Sequence, residues 1–87
     1  PSVVVELNRA VAIAMCDGPE HGLRIVDELF TRGALALYPL AHSARADLLR
    51  RLGRREESRA AYESALALTN EDSQQRYLRR RIAEVSA

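Results

Sequence analysis

The sequence predicts an all-helical domain built from two antiparallel helical hairpins and a closing helix. Three observations point to it. Ala, Leu, Arg and Glu, all good helix formers, dominate the 87 residues. No stretch alternates apolar and polar side chains over the length of a strand. The few Gly and Pro residues sit in clusters that cut the chain into pieces of helical length.

The first helix spans residues 3–15, where Val4, Leu7, Val11, Ala14 and Met15 recur at three- and four-residue steps. Val5, Ala12 and Ile13 widen that stripe, which predicts burial on more than one side. Asp17-Gly18-Pro19 ends the helix, because Gly tolerates a left-handed cap and Pro opens the next helix well. The second helix covers residues 19–31 with Leu23, Ile25, Val26, Leu29 and Phe30 inward. Its wet side carries the i,i+4 pairs Glu20–Arg24 and Glu28–Arg32. Arg32-Gly33 closes it, and the short apolar link 34–37 is expected to pack down.

The third helix covers residues 39–52. Its start is fixed because Tyr38 precedes a proline, and its end because Gly53 follows. The fourth covers residues 55–68 with Ala61, Tyr62, Ala65 and Leu66 inward. Asn70 and Asp72 punctuate, and Asp72 or Ser73 is expected to cap the fifth helix, residues 73–85, striped by Tyr77, Leu78, Ile82 and Val85. Short connections make sequential helices antiparallel neighbours.

A weak repeat underlies these elements. Asn8-Arg9-Ala10 aligns with Ala44-Arg45-Ala46 at a shift of 36 residues, and the same shift places Gly22 on Ser58 and Val26 on Tyr62. Small residues early in both helices of each unit let two backbones approach closely. Repeat one then covers about residues 3–36, repeat two 39–72 and the closing helix 73–86. Residues 39–72 are 34 in number, the length of a tetratricopeptide repeat, and they resemble its second half. Gly53 stands at the turn, Ser58 at a small position, Tyr62 at the bulky one and Ala65 at the later small one. Ala10 and Ala46 are the small residues of the first helices. The sequence departs from the motif at His42, Arg45 and Asn70, which stand where Trp, Leu and Pro are usual. A tetratricopeptide-like chain would coil into a right-handed superhelix, with the last helix covering the final apolar edge.

Composition narrows the function. The formal net charge is +1, so no global field draws the chain to nucleic acid or a membrane. All thirteen basic residues are Arg. No apolar run approaches the roughly 18 residues that a membrane span needs. Cys16 stands alone, so an internal disulfide is impossible, which fits a reducing cytoplasm. As a buried thiol it would be inert. His21 and His42 lie on different helices without a carboxylate or Cys cluster at ligand spacing, which predicts packing roles and neither metal nor cofactor. No phosphate loop, nucleophile elbow or zinc motif occurs. The expectation is a binding module and not an enzyme, a single domain that belongs to the C-terminal part of a longer protein.

Two Arg runs, Arg50, Arg51, Arg54, Arg55 and Arg76, Arg79, Arg80, Arg81, read either as a patch for an acidic partner or as solvated faces. The second reading is the simpler, given possible i,i+4 pairs Asp47–Arg51, Arg59–Glu63, Asp72–Arg76 and Arg80–Glu84. A helix-turn-helix reading with the fourth helix on DNA is disfavoured by Glu56, Glu57 and Glu63. Asn8 and Arg9 lie among apolar neighbours and serve either as an internal clamp or as a groove contact, and Arg45 shares the ambiguity. The face of the first helices offers Val4, Leu7, Val11 and Met15, then Leu40, Ser43, Asp47, Arg50 and Arg51. An apolar patch beside an Arg-bearing rim suits an amphipathic helix or an apolar peptide with an acidic flank. The same apolar face could instead dock further helices of a longer chain.

The order of four stretches is more specific than the repeat. They are Val5-Glu6-Leu7-Asn8-Arg9-Ala10-Val11-Ala12, Asp17-Gly18-Pro19 with Gly22-Leu23, Ala44-Arg45-Ala46-Asp47-Leu48-Leu49-Arg50-Arg51-Leu52-Gly53-Arg54, and Arg76-Tyr77-Leu78-Arg79-Arg80-Arg81. Together they resemble the C-terminal tetratricopeptide-like extension of bacterial extracytoplasmic-function RNA polymerase sigma factors. The resemblance implies a regulatory piece of a transcription initiation factor that does not itself read DNA. It would act through protein contacts, with the upstream sigma domains, RNA polymerase or a regulator. A generic tetratricopeptide adaptor holding a peptide in its groove is the other reading.

Overall fold

The computed structural model describes residues 3–33 and 35–87, and for Val3 the backbone alone. It contains five α-helices: α1 (Val3–Asp17), α2 (Pro19–Thr31), α3 (Pro39–Arg51), α4 (Arg55–Leu68) and α5 (Asp72–Ser86). No strand occurs among the described residues. Each helix packs on the next in sequence, and α1 also touches α3. The core is continuous from Leu7 and Ala10 through Leu49 and Tyr62 to Leu78 and Val85.

The turns follow from local chemistry. Pro19 and Pro39 each open a helix in its first turn. After α3, Gly53 adopts φ 78. Its N–H donates to Arg50 O at 3.0 Å while Arg54 N–H donates to Leu49 O at 2.9 Å. This pair of bonds satisfies the last carbonyls of the helix and needs a left-handed residue between them. At the α4–α5 turn, Thr69 Oγ1 donates to Ala65 O at 2.7 Å and Gln75 Nε2 to Thr69 O at 2.8 Å.

Small side chains set the helix–helix distances. Gly22 is buried against α1, and a Cβ built on it would lie 2.5 Å from Ala14 Cβ and 2.8 Å from Ala10 O. In the second hairpin Ser58 is fully buried and its hydroxyl donates to Ala46 O at 2.8 Å. Ala10, Ala46 and Ala65 have no exposed surface. Helix α5 covers α4 with Leu78 and Val85, and Arg55 Nη2 donates to Ala87 O at 2.7 Å, tying the two ends.

Several expectations are corrected. Helix α1 buries one stripe, Leu7, Ala10 and Ala14, and not several: Val5 and Ala12 are exposed and Ile13 is half-buried. Cys16 is exposed, not buried. Asn8 and Arg9 are both exposed, so neither forms an internal clamp. Neither Asp72 nor Ser73 caps α5. Its N-cap is Glu71, and the Ser73 hydroxyl bonds the Glu71 carboxylate instead. In the link after α2, Leu35 is buried but Leu37 points into solvent, and Ala34 lies outside the described residues. Of the foreseen surface pairs only Glu28–Arg32 forms as expected. The other helix-surface pairs are at i,i+3: Asp47–Arg50, Arg54–Glu57 and Arg81–Glu84.

Between the hairpins, Arg45 Nε donates to Asp27 Oδ1 at 2.6 Å, with both side chains partly shielded. Arg45 is thus a link between α2 and α3. A double-mutant cycle on Arg45→Ala and Asp27→Ala should give a coupling of about 1 kcal/mol, above the usual surface pair because of the partial burial. Melting midpoints of the two single variants and the double variant measure it. Additive losses would show that the pair contributes nothing.

Candidate protein-binding surface

Helices α1 and α3 run side by side because each is antiparallel to α2, which lies between them in sequence. Their approach leaves a groove of about 220 Å³ lined by Val4, Leu7, Asn8, Val11, Leu35, Tyr38, Leu40 and Ala44. The Asn8 amide and the Tyr38 hydroxyl are the polar groups in that lining, and no charged side chain takes part. Leu40 is 70% exposed and Val4 51%, so the rim presents apolar surface to water. Leu7 and Leu35, both buried, form the floor. Next to the groove Leu37 is 80% exposed.

The predicted contact residues divide into four groups. Val4, Leu7, Asn8 and Val11 meet in the groove. Met15 and Arg51 are exposed beyond its lining. Arg9 lies on another face of α1, beside Glu6 and Ile13. Arg45, Asp47 and Arg50 are engaged inside the protein. Arg45 holds Asp27. The Tyr62 hydroxyl donates to Asp47, while Arg50 Nε donates to the Tyr62 oxygen at 3.3 Å and its guanidinium lies 3.9 Å from Asp47. Burial and then the Asp47 bond push the Tyr62 phenol well above its ordinary pKa of 10.0.

Leu35, Tyr38 and Ala44 were not foreseen as groove residues. The signal available was the apolar link itself, since a short apolar connection between hairpins must line whatever lies between their first helices. His42 stacks its ring on Phe30, centroids 4.8 Å apart, and Nε2–H donates to Ala36 O at 2.8 Å. It braces the link from the opposite side. Among the described residues no three His, Cys, Asp or Glu side chains come together as a metal site. None of the described helices is long and apolar enough to cross a membrane.

The whole chain is 41% identical over 87 residues to an uncharacterized protein of Rhizobium meliloti (strain 1021), and spans 20% of that protein's length. No family model matches the chain. No solved structure matches it.

Proposed function

We propose that the chain is a tetratricopeptide-like right-handed superhelix that serves as the C-terminal regulatory extension of a cytoplasmic sigma factor, working by protein contact. The order of the four sequence stretches, from Val5–Ala12 to Arg76–Arg81, is the observation that carries this reading. The groove between α1 and α3 supports it, because an uncharged apolar channel with a single amide suits the apolar side of a partner helix. The occupant would set large aliphatic or aromatic side chains against Leu7, Val11 and Leu35, with Asn8 fixing its register through a hydrogen bond. Contact with DNA is not part of the proposal, since α4 turns Glu56, Glu57 and Glu63 to solvent, where phosphates would be repelled.

The test immobilises the purified chain and presents bacterial RNA polymerase core and isolated promoter-reading sigma domains. One of the two should be retained, and Val11→Glu or Leu40→Glu should abolish retention while leaving the helical circular dichroism unchanged. Both positions are part-exposed or exposed, so the fold tolerates the charge. Failure to retain either probe, or equal retention by the variants, would refute the proposal. Retention of an unrelated apolar peptide alone would favour the generic adaptor.

A further inference from the structure

We propose that the end face of the first hairpin, opposite the second hairpin, docks a further helical hairpin whose second helix supplies a carboxylate to Arg9. The proposal follows from the repeat. A depression of about 150 Å³ on that face is lined by Glu6, Arg9, Ile13, Ile25 and Leu29, with Glu28 and Arg32 at its rim. The 36-residue shift carries Arg9, Ile13, Ile25 and Leu29 onto Arg45, Leu49, Ala61 and Ala65. In the second hairpin Arg45 and Ala61 face Asp27 and Phe30 of the first hairpin across a shared depression. Leu49 and Ala65 are fully buried there and Ala61 nearly so. Arg45 binds Asp27 of the preceding helix α2. The first hairpin therefore carries a matching face, on which no other described helix packs.

The chemistry of that face specifies its occupant. Its floor is the half-buried pair Ile13 and Ile25 over Leu29. Glu28 and Arg32 already pair with each other at 2.9 Å. Arg9 is exposed and forms no ion pair among the described residues, whereas its counterpart Arg45 has one. A hairpin with an acidic residue at the place of Asp27 and an apolar ridge beside it would complete the charge pattern and cover the isoleucines.

A second copy of this chain does not fit. The surfaces with which α2 and α4 meet the helix that follows each are taken within the chain by α3 and α5, and the outer side of α5 exposes Arg76, Arg79 and Arg80, which offer Arg9 no carboxylate. The occupant assigned here is a further helical segment of a longer polypeptide, and the Rhizobium relative has room for one, since the matched region makes up 20% of its length.

Cysteine reactivity tests this. In the full-length Rhizobium relative, and in its excised matching segment, a cysteine replaces the residue aligned with Ile25, any native cysteine at the position of Cys16 being changed to Ser. Maleimide should label the excised segment quickly and the full-length protein slower by an order of magnitude or more. Replacing the residue aligned with Arg9 by Glu should restore fast labelling in the full-length protein. Equal rates in the two lengths would overturn the proposal. So would protection in the excised segment that grows with concentration, which would mean that a second copy is the occupant.

Discussion

Gly22→Leu should leave the domain largely unfolded, and Gly22→Ala should lower its stability by about 2 kcal/mol. Two effects compete at this position. A methyl group gains about 1 kcal/mol of helix propensity over Gly. It also has no room, because the added Cβ would lie 2.5 Å from Ala14 Cβ and 2.8 Å from the Ala10 carbonyl oxygen. Neither neighbour can rotate away, since one is the first atom of its side chain and the other is backbone. The helices must separate, and overpacking of that kind costs about 3 kcal/mol. The clash wins. In a domain of this size a loss of about 2 kcal/mol lowers the melting midpoint by roughly 8–16 °C. Thermal melts followed by circular dichroism at 222 nm, the usual helix band, measure it. Ser58→Leu should behave like Gly22→Leu, because Ser58 is equally buried and its hydroxyl is bonded to Ala46 O. Unchanged midpoints in both Leu variants would mean that α1–α2 and α3–α4 do not pack through these residues.

The same small residues explain what the sequence discloses and what it hides. Helix ends were legible because Pro19, Pro39 and Gly53 act locally: a fixed φ, a missing N–H or a left-handed turn needs no tertiary partner. The face of α2 was legible because its polar residues leave one apolar stripe. Helix α1 offers no such contrast. It is apolar nearly all round, so periodicity alone cannot say which side is buried. That choice is made by Gly22, which admits a partner helix only at Ala10 and Ala14 and thereby turns Asn8, Arg9 and Cys16 outward. The information was present, but as a steric relation between two helices and not as a pattern within one.

Long-range polar contacts were hidden for a related reason. Asp27 looks like any acidic residue on the wet side of a helix, and only the docking of the hairpins brings it to Arg45, 18 positions away. Asp47 and Arg50 looked like candidates for a partner because both are charged and lie on α3. The bulky residue at the repeat position, Tyr62, reaches across from α4 and engages both. By contrast Val4, Leu7 and Val11, expected together on the face of the first helix, do line one groove, and Asn8, for which a groove contact was one of two readings, lies there with them. A charged residue on α3 is therefore weak evidence of a free rim in this chain, because a side chain from α4 or α2 can reach it.

Tyr62→Ala is expected to cost about 3–5 kcal/mol, and Tyr62→Phe only about 1 kcal/mol. The ring is fully buried between α3 and α4, so its removal leaves a cavity that neighbours cannot fill. Removing only the hydroxyl takes one bond from Asp47 and one from Arg50, which remain 3.9 Å apart and part-exposed and can turn to each other or to water. The hydroxyl also gives the protein a particular response to alkali. Its folded pKa is raised by burial and by the Asp47 bond, while the unfolded phenol ionises near its ordinary 10.0. Above that pH the unfolded state has lost a proton that the folded state keeps, so stability falls as pH rises. The slope is at most about 1.4 kcal/mol per pH unit for one proton. Below that pH this group contributes no pH dependence. Urea denaturation on either side of pH 10.0 should show the fall in the wild-type chain and a shallower one in Tyr62→Phe. Identical slopes in the two proteins would place the Tyr62 hydroxyl in water, outside the contact with Asp47 that joins the helices of the second hairpin.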